Sequence, residues 1–194
     1  MKTNVPGKIT DSLVNAGAVP IEDRALYEYG IRQGIFLVIN IATAVLIGLL
    51  LGMLWQTVIF LIAYNPVRSY AGGYHAGTPL VCYLISIPMI LAVLFGIKLI
   101  PWNGYVVVIV LILTGAAIWL MAPVEDANKP LDQLERKVYG RRARISMAVL
   151  AGLAVVLWFA EWKQSSLSIV MALGVASVML ILGTVKNKKL EEKA

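Results

Sequence analysis

Apolar residues occur along this chain in long uninterrupted runs rather than in the short periodic patches of a water-soluble protein. The runs cover residues 35–64, 79–97, 104–122, 145–160 and 167–185. A run of about 20 apolar residues is long enough to cross a hydrocarbon core of about 30 Å. The pattern therefore predicts an all-α integral membrane protein that forms one membrane-embedded domain over residues 1–194.

The first run, residues 35–64, is long enough for one tilted span or for a hairpin of two short spans. Gly48 and Gly52 offer a place to turn. The positive charges favour the hairpin, because six spans leave 15 of the 17 Lys and Arg residues on one side of the membrane and only Lys98 and Lys163 on the other. Five spans would instead expose the basic segment 124–144 on the outside. We therefore predict six transmembrane helices with both termini cytoplasmic.

The second half of this hairpin is short, since only residues 54–64 are apolar before Asn65 and Pro66. Eleven helical residues cover roughly 17 Å, about half of the hydrocarbon core. The sequence therefore predicts a re-entrant loop at 65–78, which a membrane protein tolerates only where protein or a wet cavity surrounds it.

Residues 1–34 are polar and predict an interfacial region ahead of a transmembrane core at 35–185. Two short helices are expected there, the first ending at Gly17 and the second beginning at Pro20. Residues 186–194 predict a basic cytoplasmic tail.

The composition supports a membrane protein, since 59% of the residues are hydrophobic and 14% are charged, with a net charge of +6. A single cysteine excludes an intrachain disulfide and a cysteine metal cluster. No metal or cofactor is expected. The basic segment 124–144 has two interpretations, namely orientation with anionic-lipid contact or docking of an acidic peptide. Neither interpretation requires a nucleic-acid partner.

Candidate chemistry is concentrated in "RSYAGGYHAGTPLVC", residues 68–82, which holds the only histidine and the only cysteine. Thr78 is a candidate N-cap and Pro79 suits the first helical position, which places Cys82 in the first turn of a helix or just beyond it. A helix N-terminus favours an anion there, and a neighbouring imidazole also favours the thiolate. His75 would lie about 10 Å away along a straight helix, so a contact requires a broken backbone.

Gly72, Gly73 and Gly77 permit such a break. From the residues alone, however, Cys82 can also be a small buried side chain and the glycines can serve packing alone. Two other classes of protein remain open. One is a small transporter in which a re-entrant gate contacts an anionic solute through Arg68 and His75, and the other is a non-catalytic membrane scaffold.

The pattern R-S-Y-A-G-G-Y-H-A-x5-C, between two apolar spans, resembles the accessory gene regulator B family. The later stretch A-P-V-E-D-A-N-K-P-L, followed by Lys and Arg residues, is also similar to that family. The family comprises membrane cysteine endopeptidases of Gram-positive bacteria that mature quorum-sensing peptides. Hydropathy and the order of features agree over most of the chain, whereas the specific motifs cover residues 65–82 and 122–144.

The resemblance implies Cys82 as the nucleophile and His75 as the general base. It implies a further set of site-shaping or substrate-binding residues: Arg68, Gly72, Gly73, Lys129, Arg136, Arg141 and Arg142. The partner would be a small propeptide with an amphipathic leader, a central peptide carrying Cys or Ser, and an acidic C-terminal tail. The enzyme would remove the tail and close the rest into a thiolactone or lactone, without a cofactor.

The resemblance also implies a multi-pass protein of the plasma membrane whose active site faces the cytoplasm. Glu125 and Asp126 are candidates for the group that orients His75, and a backbone carbonyl would serve equally. Whether the working unit is a homodimer stays open.

Overall fold

The computed structural model describes residues 4–74, 76–125 and 131–191, and these residues form a bundle of α-helices. The helices are α1 (Val5–Asn15), α2 (Arg24–Leu50), α3 (Leu54–Ala71), α4 (Pro79–Leu99), α5 (Gly104–Met121), α6 (Gln133–Phe159) and α7 (Lys163–Glu191), with a 3-10 turn at Ile21–Asp23. The all-α fold predicted from the hydropathy is confirmed.

Five helical segments are long and apolar enough to cross a membrane. They are Ile21–Leu50, Pro79–Leu99, Gly104–Met121, Gln133–Phe159 and Lys163–Leu190. Helix α3 has 18 residues but is not one of them, because Asn65, Pro66 and Arg68 lower the hydropathy of its second half. The chain is therefore a membrane protein, whereas a sixth span stays a prediction.

The predicted hairpin is present, and the chain reverses direction between α2 and α3. Gly52 lies in the turn with φ +67°, a backbone conformation that favours glycine. The Met53 amide donates to the Gly48 carbonyl at 2.7 Å. A Cβ at Gly48 would overlap the hydroxyl of Thr57 on α3. These glycines therefore serve the turn and the close packing of its two helices.

The N-terminal region differs from the prediction of two short helices. Helix α1 ends near Gly17, as expected, but the second helix is not separate, because α2 continues without a break from Arg24 to Leu50. Contacts with α1 stabilise its polar beginning. Arg24 forms ion pairs with Asp11 of α1 (2.7 Å) and with Glu28 (3.0 Å).

The predicted re-entrant loop at 65–78 is also corrected. Residues 65–71 continue helix α3 through Pro66, so the connection to α4 comprises only residues 72–78. At 1.5 Å per residue, an 18-residue helix is about 27 Å long, which is close to the thickness of the hydrocarbon core. The apolar pattern underestimated α3 because its last two turns carry polar side chains.

Hydrogen bonds between distant residues show which helix ends lie together. Near the beginnings of α3 and α7, Gln56 donates to Gln164 at 3.0 Å. At the opposite end of α7, Asn187 donates to the carbonyl of Glu125, which follows α5, at 2.7 Å. Consecutive helices from α2 to α7 therefore run in alternating directions.

We call the end that carries the α3–α4 and α5–α6 connections the loop end. Lys98, in the last turn of α4, and Lys163, at the first residue of α7, lie at the far end. The other Lys and Arg residues in the described part of the chain belong to the half nearer the loop end. The two ends therefore carry the charge asymmetry that the hairpin prediction used.

Helix α7 is the centre of the bundle. In its most apolar 18-residue stretch, 50% of the residues are buried, against 11% to 22% in the corresponding stretches of the other four candidate spans. Its buried Ser166 donates across to the carbonyl of Ala154 on α6 at 2.7 Å. The α3–α4 connection crosses α7 at Gly183, where an added Cβ would lie 2.6 Å from the carbonyl carbon of Gly73 and 2.7 Å from the amide nitrogen of Tyr74.

We expect Gly183→Ala to destabilise the protein, because the new methyl group would meet main-chain atoms that cannot move aside. Overpacking of this kind lowers the free energy of unfolding by about 1–3 kcal/mol. The measurement is the midpoint of thermal unfolding in detergent.

The matched control is Gly174→Ala on the same helix, where an added Cβ meets nothing within 4 Å. Alanine favours a helix more than glycine does, so this variant should unfold at the same or a higher temperature. Equal midpoints for the two variants would contradict the close crossing at Gly183.

Candidate functional site

The start of α4 has the predicted local structure. Thr78 is the N-cap and its hydroxyl accepts from the Val81 amide at 3.3 Å, while Pro79 is the first helical residue. The Cys82 amide donates to the Thr78 carbonyl at 3.1 Å. Cys82 therefore lies in the first turn of α4, half-buried and with a free thiol.

The double glycine ends α3 and redirects the chain. Gly72 and Gly73 have φ values of +71° and +113°, which other residues rarely adopt. The Gly73 amide donates to the Val124 carbonyl at 3.3 Å, and the Val124 amide donates to the Ala71 carbonyl at 2.9 Å. The two sequence motifs singled out above, 65–82 and 122–144, therefore meet through their backbones.

Arg68 holds this connection from within α3. Its guanidinium donates to the carbonyl oxygens of Gly72 and Tyr74. The Tyr74 amide in turn donates to the Met179 carbonyl of α7 at 2.8 Å. Arg68 is therefore engaged in shaping the loop.

The second connection is held by α6 and α7. The carboxylate of Glu125 forms an ion pair with Arg136, whose Nε donates at 2.8 Å. Asp132 caps α6 and forms a capping box with Glu135. The basic stretch is therefore mostly helical, and Glu125, a candidate for orienting His75, is paired with Arg136.

The predicted basic residues differ in their surroundings. Arg136 is paired with Glu125, and the guanidinium carbon of Arg142 lies 5.4 Å from the centre of the Tyr70 ring. Arg141 is exposed one residue earlier on α6. Lys129 lies outside the described residues. The structure therefore brings Arg136 and Arg142 to the connections around Gly72.

Two clefts meet at Cys82. The lateral cleft, of about 280 Å³, opens between α2, α3 and α4. Its apolar wall includes Phe36, Ile41, Phe60, Ile85, Met89 and Ile90. The end cleft, of about 630 Å³, lies at the loop end and is lined by Tyr70, Ala76, Gly77, Val124, Glu125 and Tyr139, among others. Gln33, Arg68, Pro79 and Cys82 line both clefts.

His75 lies outside the described residues, so its distance from the Cys82 thiol stays a prediction. Its neighbours on both sides are described. Tyr74 lines the lateral cleft and Ala76 lines the end cleft.

Sequence reasoning missed a group of polar side chains inside the apolar spans. Asn40 of α2 donates to the hydroxyl of Ser86 on α4 at 2.8 Å, and Thr43 pairs with Tyr83 at 3.1 Å. The α4 members of these pairs, Tyr83 and Ser86, lie within four residues of Cys82 in the sequence. The signal was available, since polar residues occur three positions apart in each of two apolar runs.

Comparison with known proteins gives one family. A family model described as accessory gene regulator B matches residues 7–182. A protein of Listeria welshimeri named as AgrB-like is 33% identical over 137 residues, which cover 70% of this chain and 67% of that protein. A protein of Clostridium perfringens strain SM101, also named as AgrB-like, is 28% identical over 181 residues, which cover 86% and 84%. No solved structure matches the chain.

Proposed function

The chain belongs to the accessory gene regulator B family, and we propose that it is a membrane cysteine endopeptidase that matures a small quorum-sensing propeptide. The observation that carries this proposal is the position of Cys82. The only thiol of the chain lies in the first turn of α4, where the lateral and end clefts meet. In a peptide that occupied both clefts, the bond between the two bound parts would lie next to that sulfur.

The chemistry starts with attack by the Cys82 thiolate on the scissile carbonyl carbon. The carbon–nitrogen bond breaks, the tail leaves as a free amine with a proton from His75, and the remaining peptide stays on Cys82 as a thioester. His75 then takes the proton of the peptide's own thiol or hydroxyl. That group attacks the thioester carbonyl, which closes the ring and releases the Cys82 thiolate. The thioester conserves the acyl-transfer potential, so the reaction needs no cofactor.

The two clefts suggest how the peptide is oriented. The apolar wall of the lateral cleft suits the part that remains bound to Cys82 during ring closure, and exclusion of water by the bound peptide would favour cyclisation over hydrolysis. The end cleft lies beside the basic start of α6 and suits the departing acidic tail. Arg142 stacks on Tyr70, which lines this cleft, and Arg141 is exposed one residue earlier on α6. Their charge would steer an acidic segment into place.

The location follows from the same charges. Lys and Arg residues mark the cytoplasmic side of membrane proteins, and in the described chain they gather toward the loop end. We therefore assign the loop end and both termini to the cytoplasm of a Gram-positive host, as the Listeria and Clostridium relatives support. The amphipathic leader of the propeptide would lie in the same interface as α1. A homodimer is compatible with this assignment and is not required by it.

The nucleophile and base can be tested in proteoliposomes with synthetic propeptides that carry a leader, an internal Cys and an acidic tail. Cys82→Ala should release no tail, and His75→Ala should slow release by about 10²- to 10⁴-fold. The released tail and the cyclic product are measured by mass spectrometry. Val81→Ala should cleave normally, because its exposed side chain lines neither cleft. Tail release by Cys82→Ala at the parent rate would reject Cys82 as the nucleophile. No cleavage by the parent protein, together with solute transport that Cys82→Ser leaves unchanged, would instead favour the transporter.

A second measurement needs no substrate, because Cys82 is the only thiol. If His75 activates the sulfur, His75→Ala should slow alkylation by iodoacetamide at neutral pH on the order of tenfold. An unchanged rate would reject a coupled pair in the resting protein.

The role of the basic residues predicts a substrate-dependent effect. Arg141→Gln combined with Arg142→Gln should lower kcat/KM about three- to tenfold for a propeptide with an acidic tail, and much less for one with a neutral tail. The loss should shrink at high salt, since salt screens exposed charges. Lys98→Gln with Lys163→Gln, at the far end, is the matched control. Equal losses for both substrates would contradict electrostatic steering.

A further inference from the structure

The half of α4 that carries Cys82 has no buried side chain. The buried residues of α4 are Ile90, Val93, Leu94 and Ile97, all in its second half. In the first half, Leu80 and Leu84 are both 54% exposed. Apolar packing therefore fixes the far half of α4 and leaves the position of the thiol to other contacts.

Hydrogen bonds to α2 hold the first half of α4 in place of apolar packing. The Ser86 hydroxyl donates to the Cys82 carbonyl at 2.9 Å, and the Asn40 side-chain amide donates to the same hydroxyl at 2.8 Å. The pair Thr43 and Tyr83 adds a second connection between the two helices at 3.1 Å. These bonds tie the turn that begins at Cys82 to α2.

The directions of these bonds follow from the chemistry of the groups. A carbonyl only accepts, so the single hydroxyl proton of Ser86 goes to Cys82. The hydroxyl oxygen then has only lone pairs to offer, and Asn40 must present its NH₂ rather than its carbonyl. An aspartate at position 40 would have no proton to give when ionised. The arrangement therefore has one consistent set of donors.

The apolar surroundings of Asn40 and Ser86 leave few substitutes for these hydrogen bonds. Asn40 and Ser86 line the lateral cleft inside apolar segments, where few other partners are available to a polar side chain. Pro88 lies between the two halves of α4 and has no amide proton for the usual helical bond. Pro88 thus removes one of the main-chain bonds that join the two halves of α4, and the bonds to α2 provide a separate hold on the first half.

We infer that Asn40 is a positioning residue, which acts through Ser86 to hold Cys82 where the two clefts meet. This inference rests on the proposed function for its effect on cleavage. Its effect on the sulfur itself can be measured without a substrate. Displacement of a reacting atom by about 1 Å can slow a reaction up to about 10²-fold.

The first test is cleavage of the synthetic propeptides by Asn40→Leu, Ser86→Ala and the double variant. Each single variant should lower kcat about tenfold. The double variant should be no slower than Ser86→Ala, because Asn40 acts through that hydroxyl. Ser86→Thr keeps the hydroxyl and should restore the rate. Multiplied losses in the double variant, or no rescue by threonine, would overturn the inference and indicate direct substrate contact.

The second test attaches a nitroxide to Cys82 and follows its mobility by electron paramagnetic resonance. Asn40→Leu and Ser86→Ala should both increase the mobility, while the thermal midpoint stays near that of the parent protein. Ser168→Ala is the matched control, because Ser168 also donates to the carbonyl four residues earlier, at 2.9 Å, but on α7. Unchanged mobility in Asn40→Leu would overturn the inference.

The two tests distinguish failure of the proposed function from failure of the positioning role of Asn40. If the parent protein cleaves no propeptide, the proposed function fails while the nitroxide measurement still decides the position of Cys82. If cleavage occurs and mobility does not change, the proposed function stands and the positioning role of Asn40 falls.

Discussion

Main-chain groups that leave a helix inside a membrane protein must find other partners, because an unpaired amide or carbonyl in hydrocarbon costs several kcal/mol. The stretch from Ala71 to Tyr74 meets this requirement with partners from distant parts of the chain. Val124 pairs with its backbone from one side and Met179 of α7 from another. Arg68 donates to two of its carbonyls. The end cleft and the start of α4 are built around this satisfied stretch.

The helical spans could be predicted because hydropathy is a local property of the sequence. The hairpin could also be predicted, since the charge asymmetry and Gly48 and Gly52 agreed. The lengths of the elements could not. Pro66 and Arg68 indicated a loop, but Arg68 bonds to the carbonyls that follow α3 and the helix continues past the proline. The polar start of α2 likewise remained helical because α1 supplies its ionic partners.

In the candidate site, too, features set by adjacent residues could be predicted and features set by distant contacts could not. Thr78 and Pro79 placed Cys82 in the first turn of a helix, because capping depends on adjacent residues. The contact of Gly73 with Gly183 could not be predicted, since it joins a connecting segment to a helix residue 110 positions later in the chain. The basic residues were identified as a group, yet their partners differ. Arg136 pairs with Glu125 while Arg142 covers an aromatic ring, and a count of charges does not reveal such pairings.

The central position of α7 has a consequence for biosynthesis. Translation makes α7 after the other six helices, yet Met179, Gly183 and Asn187 are needed to hold both loop-end connections. The thiol and its surroundings are therefore complete only after the final helix has inserted between its neighbours. A ribosome-bound intermediate would already expose Cys82 but would lack the arrangement around it. Assembly thus completes the surroundings of Cys82 only when the bundle is closed, and truncation within α7 would leave both loop-end connections without these partners.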